Sequence, residues 1–598
     1  MDPKTICDIF YGSVASFRRP DHLRVKRGGQ WRDISSDEFR LAVEELSMGL
    51  RALGLDKGDR VSILSENRPE WAYADLATLC AGAVDAPVYA TLTPPQILYI
   101  LRDSGAKVIF VSTAAQAQKV AEIRASAPDL KHVILMDEGR VEGTLALEEV
   151  RAMGRPALQK DPEAVRSRAA EAKPDDLATL IYTSGTTGDP KGVMLTHGNL
   201  VSNVVSSIEA FESLSTPDTA LSFLPLCHVF ERMGGYYLVL YAGAAIAYAE
   251  SVEKVPENLL EVKPTVLLSV PRLYEKIYAR VNEKVAADPP ARQKIFHWAV
   301  GVGREYFKHT VERTKPGLAL RLKHVVADKL VFAKIRARTG GRMRLFVSGG
   351  APLAREIAEF FGAVGLLILE GYGLTETSPV IAVNRVDKMK PGSVGPPIRG
   401  IEVKIADDGE VLTRGPHVMK GYYRKPEATA EAIDKDGWFH TGDIGRLDSQ
   451  GFLVITDRKK DILVTSGGKN IAPQPIENRL KANKFFGEVV MVGNGRNFPA
   501  ALIVPNFESL ERWAGEKGVA FASRQELVTK REVVLHYKDL IEGLTTELAQ
   551  FEKIKRFALL TAEFTLEAGE LTPTLKVKRR VVEQKYKDAI DRLYAGAA

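Results

Sequence analysis

Between Val61 and Ser112 the chain reads VSILSENRPEWAYADLATLCAGAVDAPVYATLTPPQILYILRDSGAKVIFVS. The apolar runs VSILS (61–65), APVYA (86–90) and KVIFVS (107–112) have the length and side-chain types of strands. Between them, Pro69 to Ala81 and QILYILRDSG (96–105) carry apolar residues at helical spacing. Strand, helix, strand at these intervals predicts a parallel sheet with helices on both faces. HVILMD (132–137), TVLLSV (265–270) and RLFVSG (344–349) extend the pattern and are apolar almost throughout, as strands covered on two faces are. The expected fold class is therefore α/β.

Outward from this stretch the pattern changes three times. Residues 276–340 are rich in Lys, Arg and Ala, with apolar positions at helical spacing, as in FHWAVGVGREYF (296–307). They predict a mostly helical excursion between two central strands. From 401 short alternating strands with turns take over, in IEVKIADDGEVLTRG and GFLVITDRKKD, a small β-rich subdomain. After about 460 a new unit begins, with strand-like EVVMVG and AALIVP and helices expected near 507–518 and 537–552.

The chain has 598 residues, 45% hydrophobic and 26% charged. That is ordinary globular composition and more than one domain, a large one and a smaller one. It excludes a disordered, collagen-like or multi-span membrane protein. Lys+Arg 82 against Asp+Glu 76 gives +6, too small an excess for nucleic acid but compatible with an anionic surface. Cys7, Cys80 and Cys227 lie far apart with no metal-ligand spacing, as expected of a reducing compartment. The N-terminus has no continuous apolar core and does not read as a signal peptide. MGGYYLVLYAGAAIAYA (233–249) only reaches the lower edge of a spanning length, and reads as a buried helix followed by a buried strand.

Glycine-rich clusters carry the chemistry. Tyr182-Thr-Ser-Gly-Thr-Thr-Gly-Asp-Pro-Lys-Gly-Val193 combines glycines that let backbone N–H groups approach an anion, hydroxyls that donate to phosphate, and one lysine. Its lysine precedes glycine rather than Ser/Thr, so it is not the Walker pattern. A mobile polar loop between two strands is the plain alternative. Ser348-Gly-Gly-Ala-Pro-Leu353 and Glu370-Gly-Tyr-Gly-Leu-Thr-Glu-Thr377 follow strands, where ligands bind in open α/β sheets; standing alone, each would sooner be a tight strand-to-helix turn. In the second, a tyrosine can stack on a base and Glu376 can hold Mg²⁺. Asp436-Gly-Trp-Phe-His-Thr-Gly-Asp-Ile-Gly445, continuing to Thr456-Asp-Arg-Lys-Lys-Asp461, offers an Asp for ribose hydroxyls and an Arg for phosphate or ribose. A turn Asp and a surface charge run are the alternatives there.

YTSGTTGDPKGV, LPLCHVFER, SGGAPL, GYGLTET, DGWFHTGDIG, DRKKDILVTSGGKNIAPQPIEN and LTPTLKVKRR occur in the order found in the AMP-forming acyl-CoA synthetases of the adenylate-forming superfamily. The resemblance spans roughly 55–590 and is similar in detail to the long-chain fatty acid–CoA ligase branch. It implies a large N-terminal domain (1–456) holding acyl and ATP sites, a hinge (457–460) at Lys460, and a small mobile α+β C-terminal domain (461–598). The implied reaction has two steps: a carboxylate attacks the α-phosphorus of Mg·ATP, and CoA then displaces AMP to give a thioester.

Residue by residue, the resemblance implies a phosphate loop of Thr183, Ser184, Gly185, Thr186, Thr187, Gly188 and Lys191, with Thr183 and Glu376 at the Mg²⁺ positions. It implies an adenine pocket of Gly349, Gly350, Ala351, Gly371, Tyr372 and Gly373, and an α-phosphate contact at Thr375. Asp443 matches the ribose aspartate and Arg458 the arginine beside it. Lys576 matches the lysine bridging α-phosphate and carboxylate; TLKVKRR lacks the glycine many relatives have before it, and Lys578 is the runner-up. Ser466, Gly467, Gly468 and Lys469 are implied on the CoA side. His228 is either a satisfied core histidine or, as in the family, a neighbour of the acyl carboxylate.

The expected activity is thus ATP-dependent conversion of a long-chain fatty acid to its CoA thioester, in the cytoplasm, with peripheral contact to the inner membrane face permitted and no nucleic-acid partner. The alternatives are a ligase for a medium-chain, bile or aryl acid, a fatty acyl-AMP ligase loading a carrier protein, and an inactive nucleotide-binding protein.

Overall fold

A computed structural model describes residues 2–183, 189–211, 214–565, 568–572 and 576–595. The stretch 61–112 folds as its pattern predicts. Strands Arg60–Leu64, Val84–Val88 and Ala106–Val111 pair in parallel, with helices Pro69–Cys80 and Pro94–Ser104 between them. Local chemistry sets the helix ends. Each helix has proline in its first turn, where the missing N–H costs nothing. The second is capped by Thr93 and Gln96, and stops at Gly105, which takes the left-handed conformation.

These strands belong to an eight-stranded sheet with the order Gly421–Tyr422, Lys191–Thr196, Leu177–Thr183, Val84–Val88, Arg60–Leu64, Ala106–Val111, His132–Leu135, Leu145–Ala146. Only its first two pairings are antiparallel. A second eight-stranded sheet has the order Val380–Val383, Leu367–Gly373, Leu345–Ser348, Val266–Ser269, Thr219–Ser222, Ala245–Tyr248, Leu23–Arg27, Gln30–Ile34, antiparallel at its two edges and parallel between. One hydrophobic cluster joins residues of both sheets, among them Val61, Ile63, Val266 and Leu345.

The helical excursion runs from Pro271 to Ala337 and packs Phe296, Ala299 and Val300 against Ile357, Phe360 and Phe361. The apolar run 233–249 folds as part of a π-helix, Glu231–Tyr237, continued by the helix Leu238–Ala242 and the strand Ala245–Tyr248, buried except at the half-buried Tyr241 and Ala242. No helix among the described residues is long and apolar enough to cross a membrane.

Gly421–Tyr422 edges the first large sheet, while the strands around it in sequence, Glu402–Ile405, Glu410–Arg414, Phe439–Leu447 and Leu453–Arg458, form a separate antiparallel sheet. Beyond it a small α+β region contains the ribbon Leu463–Val464 and Asn470–Ile471, and the sheet Phe486–Val492, Ala500–Pro505, Arg556–Leu559. Two expectations shift. The helix expected near 537–552 is Arg531–Leu544, because Val533, Tyr537 and Ile541 form its buried stripe and the buried Thr545 hydroxyl bonds back to the Ile541 carbonyl. The glycines Gly371 and Gly373 lie within a strand, not in a strand-to-helix turn.

Candidate active site

Carboxyl ends of strands from both large sheets open into one cavity of about 3290 Å³. Its wall brings together Thr183, Lys191, His228, Gly349, Gly350, Ala351, Gly371, Tyr372, Gly373, Thr375, Glu376, Asp443, Arg458, Lys460 and Lys576. These residues are scattered over nearly four hundred positions of sequence, which is what strand-end sites of open sheets collect.

Strands Leu177–Thr183 and Lys191–Thr196 pair as an antiparallel hairpin. Thr183 stands opposite Lys191 and Tyr182 opposite Gly192 in antiparallel register. The hairpin is pinned on both strands at this end, since Tyr182 Oη donates to Asp103 (2.7 Å) and Tyr99 Oη donates to the Pro190 carbonyl (2.9 Å). Ser184, Gly185, Thr186, Thr187 and Gly188 lie outside the described residues. Lys191 Nζ sits 4.8 Å from the centre of the Tyr422 ring, and Tyr422 Oη donates to Glu376 Oε1 (2.9 Å). Lys191 and Glu376 are thus linked through one tyrosine, Tyr422, that the sequence motifs do not single out. Glu376 is fixed further by its carbonyl, which accepts from Met419 N–H (2.8 Å).

Across the cavity, Asp443 and Arg458 are direct partners on neighbouring antiparallel strands. Arg458 Nε lies 3.1 Å from Asp443 Oδ1, and Tyr372 Oη donates to Asp443 Oδ2 (2.7 Å). Burial raises the Asp443 pKa against the opposing pull of Arg458, the tyrosine O–H and Lys576. Gly373 is required because a Cβ there would lie 1.8 Å from the Pro379 carbonyl oxygen. Gly350 takes φ +80, open to glycine without strain.

Lys576 enters from the C-terminal region. Lys578 N–H bonds the Glu570 carbonyl, and Thr572 and Lys576 exchange two hydrogen bonds, which set residues 576–578 beside 570–572. The ion pairs Arg272–Glu488 (3.0 Å) and Glu283–Arg512 tie this region to the helical excursion. Lys576 is accessible along the cleft, but its ammonium lies deep enough that desolvation, with help from Arg458, lowers its pKa to about 8. Burial, and secondarily Lys576, lowers His228 to about 4, so the imidazole is neutral near pH 7. Its Nδ1 accepts from Phe230 N–H (3.2 Å). His228 is therefore a cavity residue and not a core histidine.

Thr183 and Glu376 supply one hydroxyl and one carboxylate, and no cluster of three His, Cys, Asp or Glu exists among the described residues. That donor set fits a Mg²⁺ carried by nucleotide phosphates better than one held in an all-protein cage. Ser466, Gly467, Gly468 and Lys469 do not line the cavity. They form the turn of the small ribbon, with Ser466 Oγ donating to Asn497 Oδ1 (2.8 Å).

The sequence of the AMP-binding enzyme family matches residues 14–423, and that of the AMP-binding enzyme C-terminal domain matches 460–598. The chain belongs to the AMP-binding enzyme family. It is 39% identical over 580 residues to the long-chain-fatty-acid–CoA ligase FadD15 of Mycobacterium tuberculosis, covering 96% of this chain and 95% of that one. It is 34% identical to the peroxisomal long chain acyl-CoA synthetase 6 of Arabidopsis thaliana, covering 99% and 86%. Among solved structures, the anthranilate CoA ligase AuaEII in complex with anthranoyl-AMP shares the fold, with a TM-score of 0.75 at 21% identity and 98% of both chains covered. ATP-bound MatB from Rhodopseudomonas palustris aligns with a TM-score of 0.69 at 25% identity, over 98% of this chain and 100% of that one.

In this AMP-binding enzyme one polar cluster escaped the sequence reading. Arg232, which directly precedes the apolar run 233–249, is wholly buried. It bonds Asp75 (2.5 Å), Asp85 (3.2 Å), Thr179 (2.8 Å) and Tyr237 (2.9 Å). Thr179 lies on the strand that ends at Thr183, and Arg232 N–H bonds the His228 carbonyl (3.1 Å). The cluster thus ties the His228 segment to the phosphate-loop strand. Burial drives the Asp85 pKa upward, which lessens the surplus of negative charge around the single arginine. Arg232→Met is expected to destabilise the N-terminal part by about 3–5 kcal/mol, because it leaves buried carboxylates without their cation. Denaturant unfolding should show a clearly lower midpoint; an unchanged one would contradict the role.

Proposed function

We propose that the chain is a long-chain fatty acid–CoA ligase that forms an acyl-adenylate from acid and ATP, and then the CoA thioester with release of AMP and pyrophosphate. The observation that carries the reading is Lys576, from the C-terminal region, in one cavity with Asp443, Arg458, His228 and Glu376. The long-chain preference rests on the curated relatives and on the apolar end of the cavity, walled by Phe211, Leu214, Met233, Leu238 and Val239.

In the first step a carboxylate oxygen of the acid attacks the α-phosphorus and the bond to pyrophosphate breaks. Asp443 would accept from the ribose hydroxyls with Arg458 beside it, and the adenine would lie against Gly349–Ala351 and Gly371–Gly373. Thr375 would contact the α-phosphate, and Ser184–Gly188 with Lys191 would cradle the outgoing pyrophosphate. Thr183 and Glu376 would hold Mg²⁺, which when bound offsets phosphate charge. Lys576, as the ammonium, would bridge α-phosphate and carboxylate. Neutral His228 would sit at the carboxylate without adding charge.

In the second step the CoA sulfur attacks the acyl carbon and the bond to AMP breaks. AMP is a far better leaving group than oxide, which is why the adenylate is worth forming. Ser466–Lys469 lie outside the cavity lining in this arrangement, so thioester formation would use a second orientation of residues 461–598, turned about the hinge 457–460 at Lys460. An N-terminal domain of 1–456 follows from that division. A cytoplasmic enzyme in peripheral contact with the inner membrane face fits a substrate that partitions into bilayers.

The test is AMP formation from ATP and CoA across a panel of medium-chain, long-chain and aromatic acids. AMP dependent on long-chain acids is expected; dependence on aromatic or medium-chain acids alone would overturn the substrate reading, and none at all would overturn the activity. Asp443→Ala is expected to raise KM for ATP by on the order of tenfold with a smaller change in kcat, because ribose contacts persist from ground state to transition state. ATP titration checks it, and an unchanged KM counts against the ribose role.

A further inference from the structure

We propose that the helix Leu318–Ala327, with the turn that follows it, is a docking surface for an anionic lipid bilayer. The helix buries Leu320 and Ala327 and exposes Leu318 (77%), Leu322 (67%), Val325 (53%) and Val326 (48%), with Leu330 (46%) one turn on. Steps of four, three, one and four residues place these five on one side of a helix. Single exposed apolar residues are common, but an uncovered stripe of five is an interaction surface. Stepping round the helix, exposed Arg321 falls on one border of the stripe and exposed Lys323 on the other.

The charge is concentrated in the same place. From Arg313 to Arg338 there are eight Lys or Arg and one acid, Asp328. That surplus of seven exceeds the +6 of the whole chain, so the remainder is close to neutral. An apolar stripe bordered by basic side chains matches an anionic bilayer, where Leu and Val enter the acyl boundary and Lys and Arg reach the headgroups. A second copy of the chain would set like charge against like.

The neighbouring helix Pro290–Glu312 packs against this one, with Tyr306 stacked on His324 at 3.9 Å. It exposes Ile295 and Trp298, while Gln293 and His297 of the same turns line the cavity. Docking face and cavity wall therefore share a helix, which gives a membrane-dissolved acid a short path inward. That last step rests on the long-chain acid reading; the docking itself does not.

The experiment is co-sedimentation of the full chain with vesicles of equimolar phosphatidylglycerol and phosphatidylcholine, or of phosphatidylcholine alone, for the parent and for Leu322→Glu/Val326→Glu. The parent should bind the anionic vesicles on the order of tenfold more tightly than the neutral ones, and the variant should lose binding by a similar factor. The variant should keep its rate on long-chain acid supplied in solution without vesicles and show a raised apparent KM for the same acid borne on vesicles. No vesicle binding by the parent, or equal binding by parent and variant, overturns the proposal. So does a parent dimer, seen by analytical ultracentrifugation, that the variant dissociates while neither form binds vesicles. Binding as expected without any thioester formation would leave the docking surface standing and overturn the ligase reading instead.

Discussion

Lys576→Ala is expected to slow acid-dependent pyrophosphate release by on the order of 10²–10³, yet still convert supplied acyl-adenylate and CoA to thioester. The reason is positional. Lys576 belongs to the C-terminal region but lines the same cavity as Asp443, Arg458 and His228 and lies within their electrostatic reach. It can serve only the orientation in which those groups meet, and that orientation leaves Ser466–Lys469 outside. Lys460→Pro, which fixes φ and removes an N–H at the proposed hinge, should do the reverse, keeping ATP–pyrophosphate exchange and losing thioester formation. Equal slowing of both half-reactions in both variants would contradict the two-orientation account.

The same lysine sets a pH dependence. Its pKa is lowered to about 8 by desolvation and Arg458, so the cation proposed to bridge the α-phosphate and the carboxylate is lost as pH rises through that value. Adenylation should fall on the alkaline side, and Lys576→Arg, whose guanidinium stays charged, should abolish that limb whatever its absolute rate. His228, lowered to about 4, contributes no limb near neutrality.

Glu376→Gln should reduce adenylation by on the order of 10²–10³ through lost charge at the phosphates, with the fold intact. Glutamine keeps an oxygen to accept from Tyr422 and keeps the carbonyl that accepts from Met419 N–H. Only the negative charge goes. Thermal unfolding should match the parent while single-turnover pyrophosphate release collapses. A near-normal rate would show that Glu376 is a structural partner of Tyr422 and nothing more.

Much of this was legible in the sequence, and the gaps have physical causes. The parallel strands from Arg60 to Val111 announce themselves because strands covered on both faces are apolar throughout. The edge hairpin Leu23–Arg27 and Gln30–Ile34 does not, since its residues alternate with charges and half face solvent. Glycines at 371 and 373 suggest a turn until the carbonyl of Pro379 is seen pressed against Gly373. Arg232 looks like the edge of an apolar run because a fully buried arginine is rare, and its partners Asp75, Asp85 and Thr179 are each more than fifty residues away. Tyr422 has no motif around it and is recognisable only from its place between Lys191 and Glu376. The candidate site residues themselves were found by ordered motifs, but no spacing in the sequence says that Lys576 reaches Asp443.

The most direct test follows one atom. With fatty acid labelled by heavy oxygen in its carboxylate, together with ATP and CoA, the account predicts one labelled oxygen in each AMP released and none in pyrophosphate, because the acid oxygen that attacks the α-phosphorus stays on it when the CoA sulfur takes the acyl group. Unlabelled AMP, or label appearing in pyrophosphate, would contradict an acyl-adenylate route.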